Sequence, residues 1–208
     1  MKNKVITFPN KKKYVQKEFF KDYSLRLFET LNSIDFKKFE IISDLIFNKI
    51  KKNKQIFIAG NGGSAAVANH FYCDFNKGVK NSSNRKLKPK IISLSSSPEI
   101  ISAISNDINF EEIFRYQIDN YISKNDLVLA FSCSGNSKNI LNLIDYCKKI
   151  QVKIIFITGF KDKIKKHKNL IHLNLNCENY GITEDVFSSL MHIISQYIRF
   201  QYNQNEIL

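Results

Sequence analysis

From Gln55 onward, short runs of β-branched and aromatic residues alternate with stretches of helical periodicity, and no other feature narrows the possible folds as much. The apolar runs fall near 55–60, 90–94, 126–131, 152–158 and 170–175. Strands that read as continuous apolar runs belong to parallel sheets covered on both sides, so the pattern predicts an α/β fold with a five-stranded parallel sheet and helices on both faces. Ahead of the sheet, Phe19, Phe20, Leu25, Leu27, Phe28 and Leu31, then Phe39, Ile42, Leu45, Ile46 and Ile50, recur at helical spacing around a break at Asn32-Ser33-Ile34-Asp35. This predicts a helical hairpin over 14–52 leading into an α/β core over 53–208, all one domain. Residues 1–13, basic and carrying Pro9, are expected to form a poorly ordered arm, and 77–89 the one long loop. The hairpin carries more apolar surface than one face of a small domain buries, which points to packing against another subunit.

In open parallel sheets ligands sit beyond the carboxyl ends of the strands, and two loops of this chain would lie there. Gly60-Asn61-Gly62-Gly63-Ser64 follows Gln55–Ala59 and opens a helix-like stretch; Ser132-Cys133-Ser134-Gly135-Asn136-Ser137 does the same after Asp126–Phe131. The free N–H groups of a helix start favour an anion, glycines let backbone approach it, and serine hydroxyls can ring a phosphate. One such loop reads as an ordinary strand-to-helix turn with a serine cap. Two in one chain point to a phosphorylated sugar. No G-x-G-x-x-G follows the first strand and no Lys follows a glycine run, which weighs against dinucleotides and nucleoside triphosphates.

The formal charge of +13, from 32 Lys plus Arg against 19 Asp plus Glu, lies in scattered short runs without a nucleic-acid motif, so an anionic small molecule is the expected partner. Cys73, Cys133, Cys147 and Cys177 are widely spaced and read as reduced thiols. Cys133 sits in the serine loop, but a nucleophile needs a partner base and a lowered pKa, so it reads as filler. No apolar run reaches the roughly 18–20 residues that cross a bilayer, and a cytoplasmic protein is expected.

His70 and Asp74, four apart on the helix after the first loop, share one face and read as a surface pair, as a buried His with its acceptor, or as a ligand pair for a metal or substrate hydroxyl. Glu184 and His192 lie eight residues apart on the last helix. That spacing is about 12 Å of rise, so they serve one ligand only by reaching toward each other or along its length.

Taken together, Gly60–Ser64, His70-Phe71 with an acid at 74, Asn106-Asp107 followed by Phe110 and Ile113-Phe114, Ser132–Ser137, Thr158-Gly159 and the Glu184–His192 segment resemble the sugar isomerase (SIS) domain superfamily, and within it the phosphoheptose isomerase family. The resemblance implies a flavodoxin-like SIS fold, interconversion of sedoheptulose 7-phosphate with D-glycero-D-manno-heptose 7-phosphate through an enediol, a homotetramer with sites between subunits, and in several members zinc. It implies that Asn61, Gly62, Gly63 and Ser64 contact the sugar, as do Asn106, Asp107 and Glu184, and that Ser132, Cys133, Ser134 and Ser137 surround the phosphate. Asp74 and His192 fall on the acid/base positions, and His70, Asp74, Glu184 and His192 on the metal-ligand positions. Asp74 stands in place of the usual Glu, Cys133 of Thr, Glu184 of Gln, and Gly181 of an Asp found in some members. The Asp and Glu pattern is similar to a subgroup linked to heptose modification of surface polysaccharides. A second carboxylate at 184 makes a divalent metal more plausible. The rival reading, a non-catalytic SIS sugar-phosphate sensor or replication-initiation regulator, needs the serine loop but not the four polar residues together.

Overall fold

The computed structural model describes residues 5–204. Helices α1 (Gln16–Asn32) and α2 (Phe36–Lys51) form the hairpin, and Asp35 caps α2 by accepting from the Lys38 N–H. Then come β1 (Gln55–Ala59), α3 (Gly63–Cys73), a π-helical turn (Asp74–Val79) running into the single turn α4 (Lys80–Ser82), β2 (Lys90–Ser93), α5 (Pro98–Asp107), a 3₁₀ turn (Phe110–Glu112), α6 (Arg115–Asp119), β3 (Leu127–Ser132), α7 (Lys138–Lys149), β4 (Lys153–Thr158), β5 (Leu170–Asn174) and α8 (Tyr180–Gln204). The five strands pair in parallel in the order β2-β1-β3-β4-β5.

Alternate strand residues feed two cores. Ile56 and Ile58 of β1, Leu129 and Phe131 of β3, and Ile155 and Ile157 of β4 pack with α2, α3 and α8, whereas Phe57, Val128, Ala130, Ile154 and Phe156 pack with α5, α6 and α7. Burial on both sides is why these strands read as unbroken apolar runs. The strand order turns back between β1 and β3, and the loops that follow those two neighbours are the glycine and serine loops.

Two expectations change. The stretch 77–89 is not a loop throughout: Phe75 and Val79, four apart and fully buried, hold the chain in helical conformation through Ser82 despite its polar composition. The arm is docked along the described part, 5–13: the Ile6 N–H donates to the Asn176 carbonyl at 2.9 Å, the Glu178 N–H to the Ile6 carbonyl at 2.8 Å, and Phe8 is buried against Phe19 and Tyr23. Residues 1–4 lie outside the described part.

Candidate active site

α3 and α8 lie side by side and run in the same direction, and this pairing builds the site. Near their starts, Gly63 packs on the Glu184 carboxylate so tightly that a Cβ there would overlap both carboxylate oxygens. Two turns on, His70 Nε2 lies 2.9 Å from His192 Nε2. Asp74 Oδ2 is 3.6 Å from each imidazole nitrogen.

The serine loop supplies the other half. Gly135, at φ +68°, lets the chain reverse, while its N–H donates to the Ser132 hydroxyl and Ser132 Oγ lies 3.2 Å from Ser137 Oγ. The Asn136 N–H donates to Ser134 Oγ at 3.2 Å. Gly62, at φ +52°, turns the first loop into α3. The two loops are joined by a reciprocal amide pair, Asn61 and Asn139, each donating to the other at 2.9 Å. The result is a pocket of about 120 Å³ lined by Asn61, Ser64, Ser132, Cys133, Ser134, Ser137, Tyr180 and Glu184. The Gly159 and Phe160 N–H groups both donate to the Cys133 carbonyl and fix the loop from beneath.

Cys133 lies 3.8 Å from Ser64 Oγ and 3.7 Å from a Glu184 oxygen. Burial, reinforced by the Glu184 charge, pushes its thiol up to about 12, so it stays protonated at neutral pH. This is a space-filling thiol.

Of the four expected metal ligands, His70, Asp74 and His192 come together, with donor atoms all within 4.8 Å of one another. Glu184 does not join them. It sits two turns nearer the start of α8, in the serine pocket, because eight residues of straight helix separate it from His192. Two imidazoles and one carboxylate separated by 2.9 and 3.6 Å fit a divalent ion, since tetrahedral bonds of about 2.0 Å set donors about 3.3 Å apart. Asn106 and Asp107 are not brought to this pocket within one chain: they end α5, exposed, with the Asn106 amide donating to Asp107 at 2.9 Å. Sequence reasoning missed Asn139 and Tyr180. Asn139 follows the serine motif directly, whereas nothing in the sequence singles out Tyr180.

Comparison with known proteins agrees with this architecture. The SIS domain family model matches residues 19–159. A phosphoheptose isomerase of Campylobacter concisus is 36% identical over 120 residues, covering 58% of this chain and 62% of that relative, so the match spans less than two thirds of its length. One from Chlorobaculum tepidum is 30% identical over 149 residues, 71% of each chain. The structure of a phosphoheptose isomerase from Francisella tularensis superposes with a TM-score of 0.78 over 88% of this chain and 95% of that one, at 20% identity, and so shares the fold. On these grounds the chain belongs to the SIS domain family and, within it, to the phosphoheptose isomerases.

Proposed function

We propose that the protein is an aldose–ketose isomerase interconverting sedoheptulose 7-phosphate and D-glycero-D-manno-heptose 7-phosphate through an enediol. The carrying observation is a serine-lined anion pocket at the start of the paired helices with an imidazole–imidazole–carboxylate cluster two turns farther along. That displacement is about 10–12 Å of helix rise. A seven-carbon ketose held by its phosphate among Ser132, Ser134 and Ser137 extends its carbonyl toward His70 and His192, whereas a shorter sugar leaves it nearer Glu184.

In this reading Asp74 takes the proton from C1 of the ketose while His192 delivers one to O2, giving the enediol. Asp74 then returns its proton to C2 as His192 takes the proton from O1, leaving the aldose. Asn61, Gly62, Gly63, Ser64 and Glu184 hold the sugar, and Cys133 packs beneath the phosphate. Asn106 and Asp107 reach a substrate only from a neighbouring copy, in keeping with a homotetramer whose sites lie between subunits. His70, Asp74 and His192 would hold a divalent ion such as zinc, which when bound would polarise the carbonyl. A nitrogen engaged by the ion has no lone pair for a proton, so His192 Nε2 serves one role at a time.

The test is incubation with sedoheptulose 7-phosphate in D₂O, followed by NMR, with and without a chelator. Aldoheptose 7-phosphate carrying deuterium at C2 is expected. Binding without turnover of any seven-carbon ketose phosphate would sink the isomerase reading in favour of a sugar-phosphate sensor.

A further inference from the structure

Away from the isomerase pocket, a cavity of about 420 Å³ opens between α2 and the edge strand β5. Lys38 of α2 lines one side, and Lys165 and Lys166 of the β4–β5 connection line the other; Ile41, Ile164 and Ile171 supply apolar wall between them. Among the described residues no carboxylate lines this cavity. Residues 161–168 contain five lysines and a single acid, Asp162.

That acid is already committed. Asp162 accepts from the Thr158 hydroxyl at 2.7 Å, from the Asn174 amide at 2.9 Å and from the Ile164 N–H at 3.2 Å, and lies 3.1 Å from His172 Nε2. Asp162 thus faces His172 and neutral donors, and among the described residues no ion pair joins Lys38, Lys165 or Lys166 to a carboxylate beside the apolar wall. Burial, with the Lys38 charge acting in the same direction, pushes the His172 imidazole below its ordinary range even with Asp162 beside it. The electrostatic cost of the cluster falls when an anion enters. The isoleucines favour a ligand whose charge is joined to an apolar body, and the volume is that of a small-molecule site.

We propose that this cavity is a second ligand site that takes a phosphate or diphosphate attached to a planar ring, the chemistry of a nucleoside diphosphate. It is independent of the isomerase reading.

The test is calorimetric titration of the full chain at low salt with ADP and, separately, with inorganic pyrophosphate. Binding of ADP is expected, tighter than that of pyrophosphate because the ring adds contact with the isoleucines. The exposed double variant Lys165→Ala/Lys166→Ala is expected to weaken ADP by about tenfold or more, while Ser134→Ala/Ser137→Ala, which alters only the serine pocket, leaves it unchanged. The proposal is overturned if ADP gives no binding up to about 5 mM, if the serine variant rather than the lysine variant loses it, or if pyrophosphate binds as tightly as ADP.

Discussion

His70 and His192 meet Nε2 to Nε2 at 2.9 Å although 122 residues separate them in the chain. One nitrogen must donate and the other accept, or both must turn their lone pairs to a shared cation, so the pair has the chemistry to share a proton or to hold an ion. His192 side chain is 44% exposed, and its removal opens no cavity. His192→Ala is expected to lower kcat by about 10²–10⁴ with unfolding midpoint nearly unchanged. Turnover within a few-fold of the parent would remove His192 from the proton path.

Gly63 and Glu184 make the second prediction. A methyl group at position 63 overlaps the Glu184 carboxylate, so Gly63→Ala must displace that side chain from the serine pocket or shift α3 against α8. A loss of about 1–3 kcal/mol in stability is expected, together with a raised KM for the sugar phosphate. Shortening the opposing group should relieve the overlap. In a double-mutant cycle Gly63→Ala/Glu184→Ala is expected to recover part of the stability; full additivity would show that the crowding is not between these two residues.

The fold was legible because the central strands β1, β3 and β4 are buried on both faces and therefore announce themselves as apolar runs, and because Gly62 and Gly135 mark turns that need positive φ. The two loops could be placed at one crevice for the same reason. What the sequence hid were distances across the chain. Helical spacing put His70 beside Asp74 and the family resemblance added His192 and Glu184, but only the parallel packing of α3 on α8 reveals that His192 joins them while Glu184 does not. The polar residues of 77–82 obscured a helical stretch whose buried residues are Phe75 and Val79. The Asn61–Asn139 pair was invisible because a reciprocal amide contact has no sequence period.

The third prediction concerns pH. His172 titrates below its ordinary value in the folded protein, chiefly through burial, so the unfolded chain takes up a proton first as pH falls. The resulting contribution is complete above the unfolded pKa of about 6.5 and is lost as pH drops through the lower folded value. Asp162 adds a loss of the same sign at more acidic pH: burial opposes its ionisation, but hydrogen bonds from Thr158, Asn174 and the Ile164 N–H outweigh it and hold the carboxyl below its usual range. Thermal midpoints measured between about pH 7 and pH 5 should fall, and His172→Gln should flatten that slope. An unchanged slope in the variant would place the titrating group elsewhere.

Cys133 yields a fourth. A thiol with its pKa near 12 is almost wholly protonated at neutral pH, so in a Cys73→Ser background, where the exposed cysteine is gone, iodoacetamide at pH 7.5 is expected to leave activity intact. Cys133→Ser should retain turnover. Rapid inactivation traced to Cys133 would instead give the thiol a chemical role.

The last prediction concerns assembly. Phe20, Phe28 and Phe36 of the hairpin are 72%, 64% and 66% exposed, and Phe28, Phe36 and Phe39 line a groove of about 490 Å³ with Leu190 and Ile193 of α8. Aromatic surface of this extent is costly in water, and it adjoins the turn of α8 that carries His192. A second copy seated there would cover the groove and lie near the His70–Asp74–His192 cluster, and in the proposed reading it is such a neighbour that brings Asn106 and Asp107, exposed at the end of α5, to a substrate. Phe28→Glu puts a charge in the middle of that surface without touching the pocket residues. Sedimentation is expected to show the parent chain as a homotetramer and the variant as smaller species, with kcat/KM reduced by about tenfold or more. A dissociated variant with full activity would mean that each chain completes its own site and that Asn106 and Asp107 have no part in it.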